Sequence, residues 1–188
     1  HFTATRVQQT RAAEDLVARI ARQLSCYTLR SRLHLLPYTH FDLALMGHNT
    51  GFDVVLFRRF MARVAERIAG ESGALALVSG DSLGQVASQT LENLVSTSDA
   101  TALPFLRPLI GMDKQEIVDL ARRIGTYELS IQPYKDCCAL LSENPRTRSD
   151  VATLRAMEAE IMPNMDALVE QTLAERICLH FDSGELID

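Results

Sequence analysis

Residues 54–69 (VVLFRRFMARVAERIA) and the five residues Ala74–Val78 (ALALV) constrain the fold most. The first stretch places Leu56, Phe60, Val64 and Ile68 on one face at a period of 3.6, the mark of an amphipathic helix. Gly70 and Gly73 stop it. The second stretch is continuously apolar, as a strand buried on both faces would be. A helix returning into such a strand belongs to a sheet covered by helices, and the rest of the chain repeats the alternation. Residues 9–25 form a helix with Leu16, Val17, Ile20, Ala21 and Leu24 on one face, followed by a strand at 33–36 (LHLL) before Pro37. Residues 83–95 read as a helix, 103–109 (LPFLRPL) as an irregular strand, and a helix begins after Asp113 and stops at Gly125. Segments 149–162 and 164–178 read as two final helices. The predicted fold class is α/β, a doubly wound parallel sheet with a helical C-terminal tail. Ligands of such sheets bind at the carboxyl ends of the strands, where His1-Phe2, the turn Ser79–Ser82 and the segment after Leu109 would lie.

Composition excludes several classes of function. The 188 residues are 47% hydrophobic and carry a net charge of -5, which suits one domain and argues against a dedicated electrostatic binder of nucleic acid. The apolar runs fall short of the ~18 residues a membrane span needs, so no membrane partner is expected. The four cysteines, Cys26, Cys137, Cys138 and Cys178, make no CxxC pair and no zinc spacing with histidine, so no metal ligands are predicted. So few cysteines and no signal peptide fit a reducing cytoplasm. Cys26 and Cys178 read as small apolar residues on helical faces.

The turn "LVSGDSLGQVASQ" (77–89) looks like a phosphate loop, but it lacks the GxxxxGK[ST] lysine and the GxGxxG spacing. Read locally, it is a strand-to-helix turn with Asp81 or Ser82 as N-cap. In the helix expected after it, Gln85, Ser88, Gln89 and Glu92 fall at i, i+3, i+4 and i+7, a stripe of amides and hydroxyls suited to a neutral hydrogen-bonding partner.

Three blocks, "GDSLGQVASQTLENL", "RPLIGMDKQEIVDLARRIGTYELSI" and "PYKDCCALLSENPRTR", occur in the order and spacing of the tRNA 4-thiouridine synthetase (ThiI) family, which the chain resembles over nearly its whole length. The resemblance implies an adenine-nucleotide α-hydrolase-like, Rossmann-like fold that uses ATP and Mg²⁺. It implies adenylation of O4 of uridine 8 in tRNA, then replacement of the activated oxygen by persulfide sulfur from a cysteine desulfurase. It also brings in sulfur transfer for the thiamine thiazole, with homodimerisation left open. Carried over by position, His1 and Phe2 line the adenine end of the ATP site, Arg58 contacts the nucleotide with Arg59 as second candidate, and Gly80 and Gln89 complete the pocket. Cys138 matches the sulfur-handling cysteine, and Cys137 is an alternative. Lys135, Arg146 and Arg148 could lower the pKa of that thiol and would also suit tRNA phosphates.

The family's SGGxDS loop and THUMP domain belong upstream of His1, and the rhodanese domain of some members belongs beyond Asp188. Residues 1–188 are therefore expected to be a single ATP-pyrophosphatase domain lacking its first strand and loop, which alone would hold ATP poorly and adenylate no tRNA. Residues 40–53 (HFDLALMGHNTGFD) are also less polar than the family pattern. Two other readings compete. A different ATP-pyrophosphatase should show CxxC pairs or another C-terminal domain. A non-catalytic remnant that binds RNA or protein should have no SGGxDS upstream.

Overall fold

The computed structural model describes residues 1–4, 11, 15–48, 50–134 and 146–187. It divides into two compact units: residues 1–39, 115–139 and 172–188 form the first, and 40–114 with 140–171 the second.

The first unit is built on a four-stranded sheet of order β1-β2-β5-β6, from β1 (Phe2–Thr3), β2 (Arg30–Pro37), β5 (Ile177–Asp182) and β6 (Glu185–Ile187). β1 and β2 are parallel, with Phe2 opposite Leu36. β2 and β5 run antiparallel, with Arg32 opposite His180, and β5 turns back into β6. Helix α1 (Leu16–Thr28) packs on β2 and β5. It starts where the predicted amphipathic face starts, because the Asp15 carboxylate accepts from Val17 N at 2.9 Å and caps it. Phe2, Leu35, Leu36 and Phe181 form the buried interior.

The hairpin corrects the reading of the C-terminus. The tail is helical only to Ala174, and Ile177, Leu179 and Phe181 then alternate with Cys178, His180 and Asp182 at the period of a strand. Ser183 (φ 49°) and Gly184 (φ 90°) both take left-handed backbone, as a two-residue hairpin requires. Cys178 is therefore on a strand, with Sγ 3.5 Å from His180 Nε2, while Cys26 on α1 is exposed rather than part of an apolar face.

The second unit is organised around the twenty-residue helix α3 (Asp53–Ser72). It runs three residues beyond the predicted span and ends on Gly73 at φ 67°, whose N–H bonds back to the last turn. The short helix α2 (Thr39–Leu45) inserts Phe41 against Phe57 and Phe60 of α3, at centroid distances of 5.1 and 5.4 Å. That burial explains Phe41, and Leu45 and Phe52 are buried too, whereas Leu43 and Met46 of the same apolar segment 40–53 are exposed. α3 packs on α4 (Leu91–Ser98) and on β3 (Leu77–Val78), which pairs in parallel with β4 (Phe105–Leu106). Helices α7 (Val151–Ile161) and α8 (Met165–Ala174) match the two predicted tail helices in position. α5 (Lys114–Arg123), almost wholly in the first unit, is the helix expected after Asp113, and the short α6 (Tyr127–Ser130), also of the first unit, follows Gly125, where no element was predicted. The α/β class and its parallel pairing are as predicted.

The 83–95 helix is not continuous. Gly84 takes φ 74°, residues 87–89 make one 3₁₀ turn, and α4 begins only after Thr90, whose hydroxyl caps it by accepting from Asn93 N. Gln85, Ser88, Gln89 and Glu92 therefore share no helical face.

Among the described residues no helix is long and apolar enough to cross a membrane.

Candidate functional site

The turn after β3 is held from both sides. Ser79 N donates to Leu106 O at 3.0 Å, Leu83 N to Ile110 O at 3.1 Å, and the Ser82 hydroxyl to Met112 O at 2.8 Å. The segment after Leu109 thus lies beside the Ser79–Ser82 turn, at the carboxyl end of a parallel strand pair, where α/β sheets place ligands. Asp81 and Ser82 are buried there, but neither caps a helix.

A cavity of about 420 Å³ opens against this turn. It is lined by Arg58, Met61, Ala62 and Ala65 of α3, by Leu77 through Asp81, and by Gln89, Thr97 and Phe105. Arg58, Gly80 and Gln89, separated by up to 31 positions in the chain, meet on its wall. The Gly80 backbone is not in the left-handed region, and a Cβ built there would meet nothing within 4 Å. Packing therefore leaves the space over this Cα open, and a bare Cα keeps the backbone accessible from it. The Gln89 side-chain carbonyl accepts from Ser82 N at 3.4 Å, tying the amide to the turn.

Charge on the wall centres on Asp81, which is 2% exposed. Its carboxylate accepts from Arg58 Nη2, from Arg107 Nε at 3.1 Å and from the Ser79 hydroxyl at 2.7 Å. Burial alone would raise this carboxyl, but the Ser79 hydroxyl and the two guanidiniums outweigh it and hold it below the usual carboxylate range. Arg107 also lies over the Phe105 ring, 4.7 Å from its centroid. Arg58 Nε is removed from solvent with no hydrogen-bond partner among the described residues. Sequence reasoning missed Asp81 as an ion-pair centre and missed Arg107 altogether. The signal available was an arginine just past the second strand-forming run, Arg107, and an aspartate in the turn just past the first, Asp81.

Arg59, the second candidate for nucleotide contact, faces away from this cavity chemistry. It is fully buried, donates Nε and Nη2 to the two oxygens of Glu158 at 2.8 Å each, and donates Nη1 to Ser96 O and, at 3.2 Å, to Asp99. Burial alone would lower its pKa, but Glu158 and Asp99 more than compensate and keep it charged. The arginine-rich side of α3 is thus a packing face: Arg63 also reaches Glu158, and Arg67 reaches Asp166 and Glu170.

Arg146 and Arg148 line a second cavity of about 430 Å³ with Thr50, Phe52 and the start of α7. The Arg146 guanidinium lies 5.0 Å from the Phe52 ring centroid, and Arg148 is mostly exposed, 3.5 Å from Glu92. In the first unit, His1 Nε2 is 3.0 Å from the Tyr134 hydroxyl, which donates to Asp15, and Phe2 is buried in β1. Lys135, Cys137 and Cys138 lie outside the described residues.

Residues 1–162 match the family model described as thiamine biosynthesis protein (ThiI). The chain belongs to the ThiI family. It is 45% identical over 172 residues to a probable tRNA sulfurtransferase of Thermus thermophilus, covering 90% of this chain and 42% of that protein. Against a probable tRNA sulfurtransferase of Acetivibrio thermocellus the identity is 39% over 175 residues, covering 92% and 44%. A crystal structure of a 4-thiouridine synthetase–RNA complex with bound ATP superposes with a TM-score of 0.84 at 36% identity, over the whole of this chain and 47% of the other. This ThiI-family chain therefore spans less than half the length of these relatives.

Proposed function

We propose that this chain is the nucleotide-holding part of a tRNA sulfurtransferase that makes 4-thiouridine, and that the cavity beside the Ser79–Ser82 turn takes ATP. One observation carries the reading: Arg58, Gly80 and Gln89 converge on a single cavity at the carboxyl end of a parallel strand pair. The residues fit the ligand. A half-buried guanidinium suits phosphate oxygens or a base, an open glycine lets a ligand approach the backbone, and an amide can read a purine edge. ATP would supply an adenylate leaving group on O4 of the target uridine, with pyrophosphate released. Arg58 would steady negative charge, Gly80 would leave room, and Gln89 would fix orientation. The resemblance gives His1 and Phe2 the adenine end; within the first unit Tyr134 bonds the His1 ring and donates to Asp15. Among the described residues no group of three or more His, Cys, Asp or Glu side chains is placed to hold a metal ion. Mg²⁺, which the resemblance implies, would enter with the nucleotide.

In the same reading Cys138, or Cys137 beside it, handles the sulfur delivered as a persulfide by a cysteine desulfurase. Arg146 and Arg148, with Lys135, face tRNA phosphates. Sulfur supply for thiamine thiazole, a cytoplasmic location and homodimerisation belong to the same proposal. The test is tRNA thiolation by the full-length protein with ATP, Mg²⁺, tRNA and a persulfide donor, read as 4-thiouridine by mass spectrometry. Omitting ATP should remove the product, Arg58→Ala should reduce it at limiting ATP, and Cys138→Ala should sharply reduce it. Undiminished 4-thiouridine without ATP would sink the ATP assignment, and undiminished product in both Cys137→Ala and Cys138→Ala would sink the cysteine role.

A further inference from the structure

A carboxylate as buried as Asp81 needs a reason. It neither caps α4, a role Thr90 takes, nor ends β3, whose backbone is already bonded to β4. Its two oxygens are instead divided between cations, Oδ1 to Arg58 and Oδ2 to Arg107, with Ser79 sharing the second. Two guanidiniums and one carboxylate leave this cluster, of which Arg58 and Asp81 line the cavity, with one net positive charge. The geometry also fixes what the wall would become without the carboxylate. Arg58 and Arg107 would repel, and Arg58 would lose the acceptor that holds its Nη2 end. A long arginine left to sample rotamers costs binding energy each time it must be reordered.

We propose that Asp81 is a positioning residue for nucleotide binding: it fixes the Arg58 guanidinium at the cavity wall for an anionic phosphate oxygen, and Arg107 keeps the cluster net positive. This rests on the ATP reading above. Asp81 touches no nucleotide itself and acts through Arg58. Ser79 is part of the same device, because its hydroxyl orients the carboxylate. Arg107 is anchored a second time by Nη2 donating to the Ser98 hydroxyl at 2.8 Å, so it stays in place while Arg58 faces the ligand.

The experiment is a double-mutant cycle in the full-length protein, with the KM for ATP, the KM for tRNA and kcat measured for each variant. Asp81→Asn keeps the shape and removes the charge. It should raise the KM for ATP by about tenfold, the scale of one charged hydrogen bond, and leave the KM for tRNA within about twofold. Adding Arg58→Ala to Asp81→Asn should cost little beyond Arg58→Ala alone, because both act through one guanidinium. Ser79→Ala, the milder change, should raise the KM for ATP by about two- to threefold, and it carries the test if Asp81→Asn fails to fold. Additive effects of Asp81→Asn and Arg58→Ala would overturn the proposal, as would an unchanged KM for ATP in Ser79→Ala and Asp81→Asn. If Arg58→Ala itself leaves the KM for ATP unchanged, it is the ATP assignment that fails, which the cycle reports separately.

Discussion

Arg58 and Arg59 are neighbours on one helix and have the same side chain, yet they do opposite things. Arg59 is fully buried and donates to Glu158, Ser96 and Asp99, so its charge is spent inside the protein. Arg58, about 100° further round the helix, lies on a cavity wall and shares a single carboxylate with Arg107. The first arrangement is a lock between α3, α4 and α7. The second holds a cation at the cavity wall and leaves one donor, Arg58 Nε, without a partner among the described residues. Residue type and sequence neighbourhood are the same for both, and only the packing on either side of α3 separates the fully buried arginine from the one on the cavity wall.

The comparison predicts its own largest effect. Arg59→Ala should destabilise the protein by about 3–5 kcal/mol, because Glu158 would be left buried without its main partner. Hydrogen exchange of α3 amides under mild urea would read it, and a loss below 1 kcal/mol would break the contrast. Replacing Arg59 by Met together with Glu158 by Leu should recover most of the loss, since the uncompensated charge is then gone.

Arg58→Ala should show the reverse profile. The loss of ATP affinity should be about 1.5–3 kcal/mol, one hydrogen bond to a charged group. The loss of stability should be smaller than for Arg59→Ala, because Asp81 keeps Arg107 and Ser79. Equilibrium ATP binding and the same exchange measurement separate the two quantities. A variant that loses stability and keeps ATP affinity would make Arg58 a second structural arginine.

Much of this contrast could not be read from the chain. The long helix was legible, because four apolar residues at period 3.6 and a closing glycine are local signals. The family resemblance brought Arg58, Gly80 and Gln89 forward with Arg59 as second candidate, while the apolar period alone left Arg58 and Arg59 equivalent. Asp81 was misread because an aspartate in a strand-to-helix turn satisfies the N-cap rule equally well, and its true partners lie 23 and 26 residues away. The helix expected at 83–95 failed at Gly84, whose positive φ is a backbone choice that the polar stripe did not reveal. The final strands were missed because the alternation from Ile177 begins where a helical stretch has just ended. The Asp182-Ser183-Gly184-Glu185 turn was the available sign of a hairpin.

Acid should sharpen the difference between the carboxylates of the two clusters. Asp81 is held low against burial by Ser79, Arg58 and Arg107, and Asp99 is held low chiefly by Arg155 and then by Arg59. A carboxyl depressed on folding contributes stability that is fully present above its unfolded value, about 3.9, and that fades as pH falls through the folded value. Stability should therefore be flat with respect to these groups at neutral pH and decline only in the acid range. In Asp81→Asn the decline should be shallower by that residue's share, and Asp99→Asn should remove a separate share. Identical acid profiles in Asp81→Asn and the parent would show that Asp81 is not held charged by folding.

The smallest expected effect concerns a second pair of basic residues close in the chain, Arg146 and Arg148, where the contrast repeats at the surface. Arg146 is tied down: its N–H donates to Gly51 O at 3.1 Å and its guanidinium lies over Phe52. Arg148 is 84% exposed along its side chain and sits at the limit of contact with Glu92. An exposed pair of this kind contributes about 0–1 kcal/mol, so Arg148→Ala should leave stability almost unchanged. If Arg148 meets a tRNA phosphate, the same variant should weaken tRNA binding to a similar extent for different tRNA sequences. It should also lower the slope of log affinity against log salt by about one. Arg146→Ala should lower the slope and also loosen the Gly51–Phe52 turn, since it removes a stacked side chain as well as a charge. A salt slope unchanged in both variants would leave the second cavity with no part in RNA binding, and would confine the functional arginines of this unit to the Asp81 cluster.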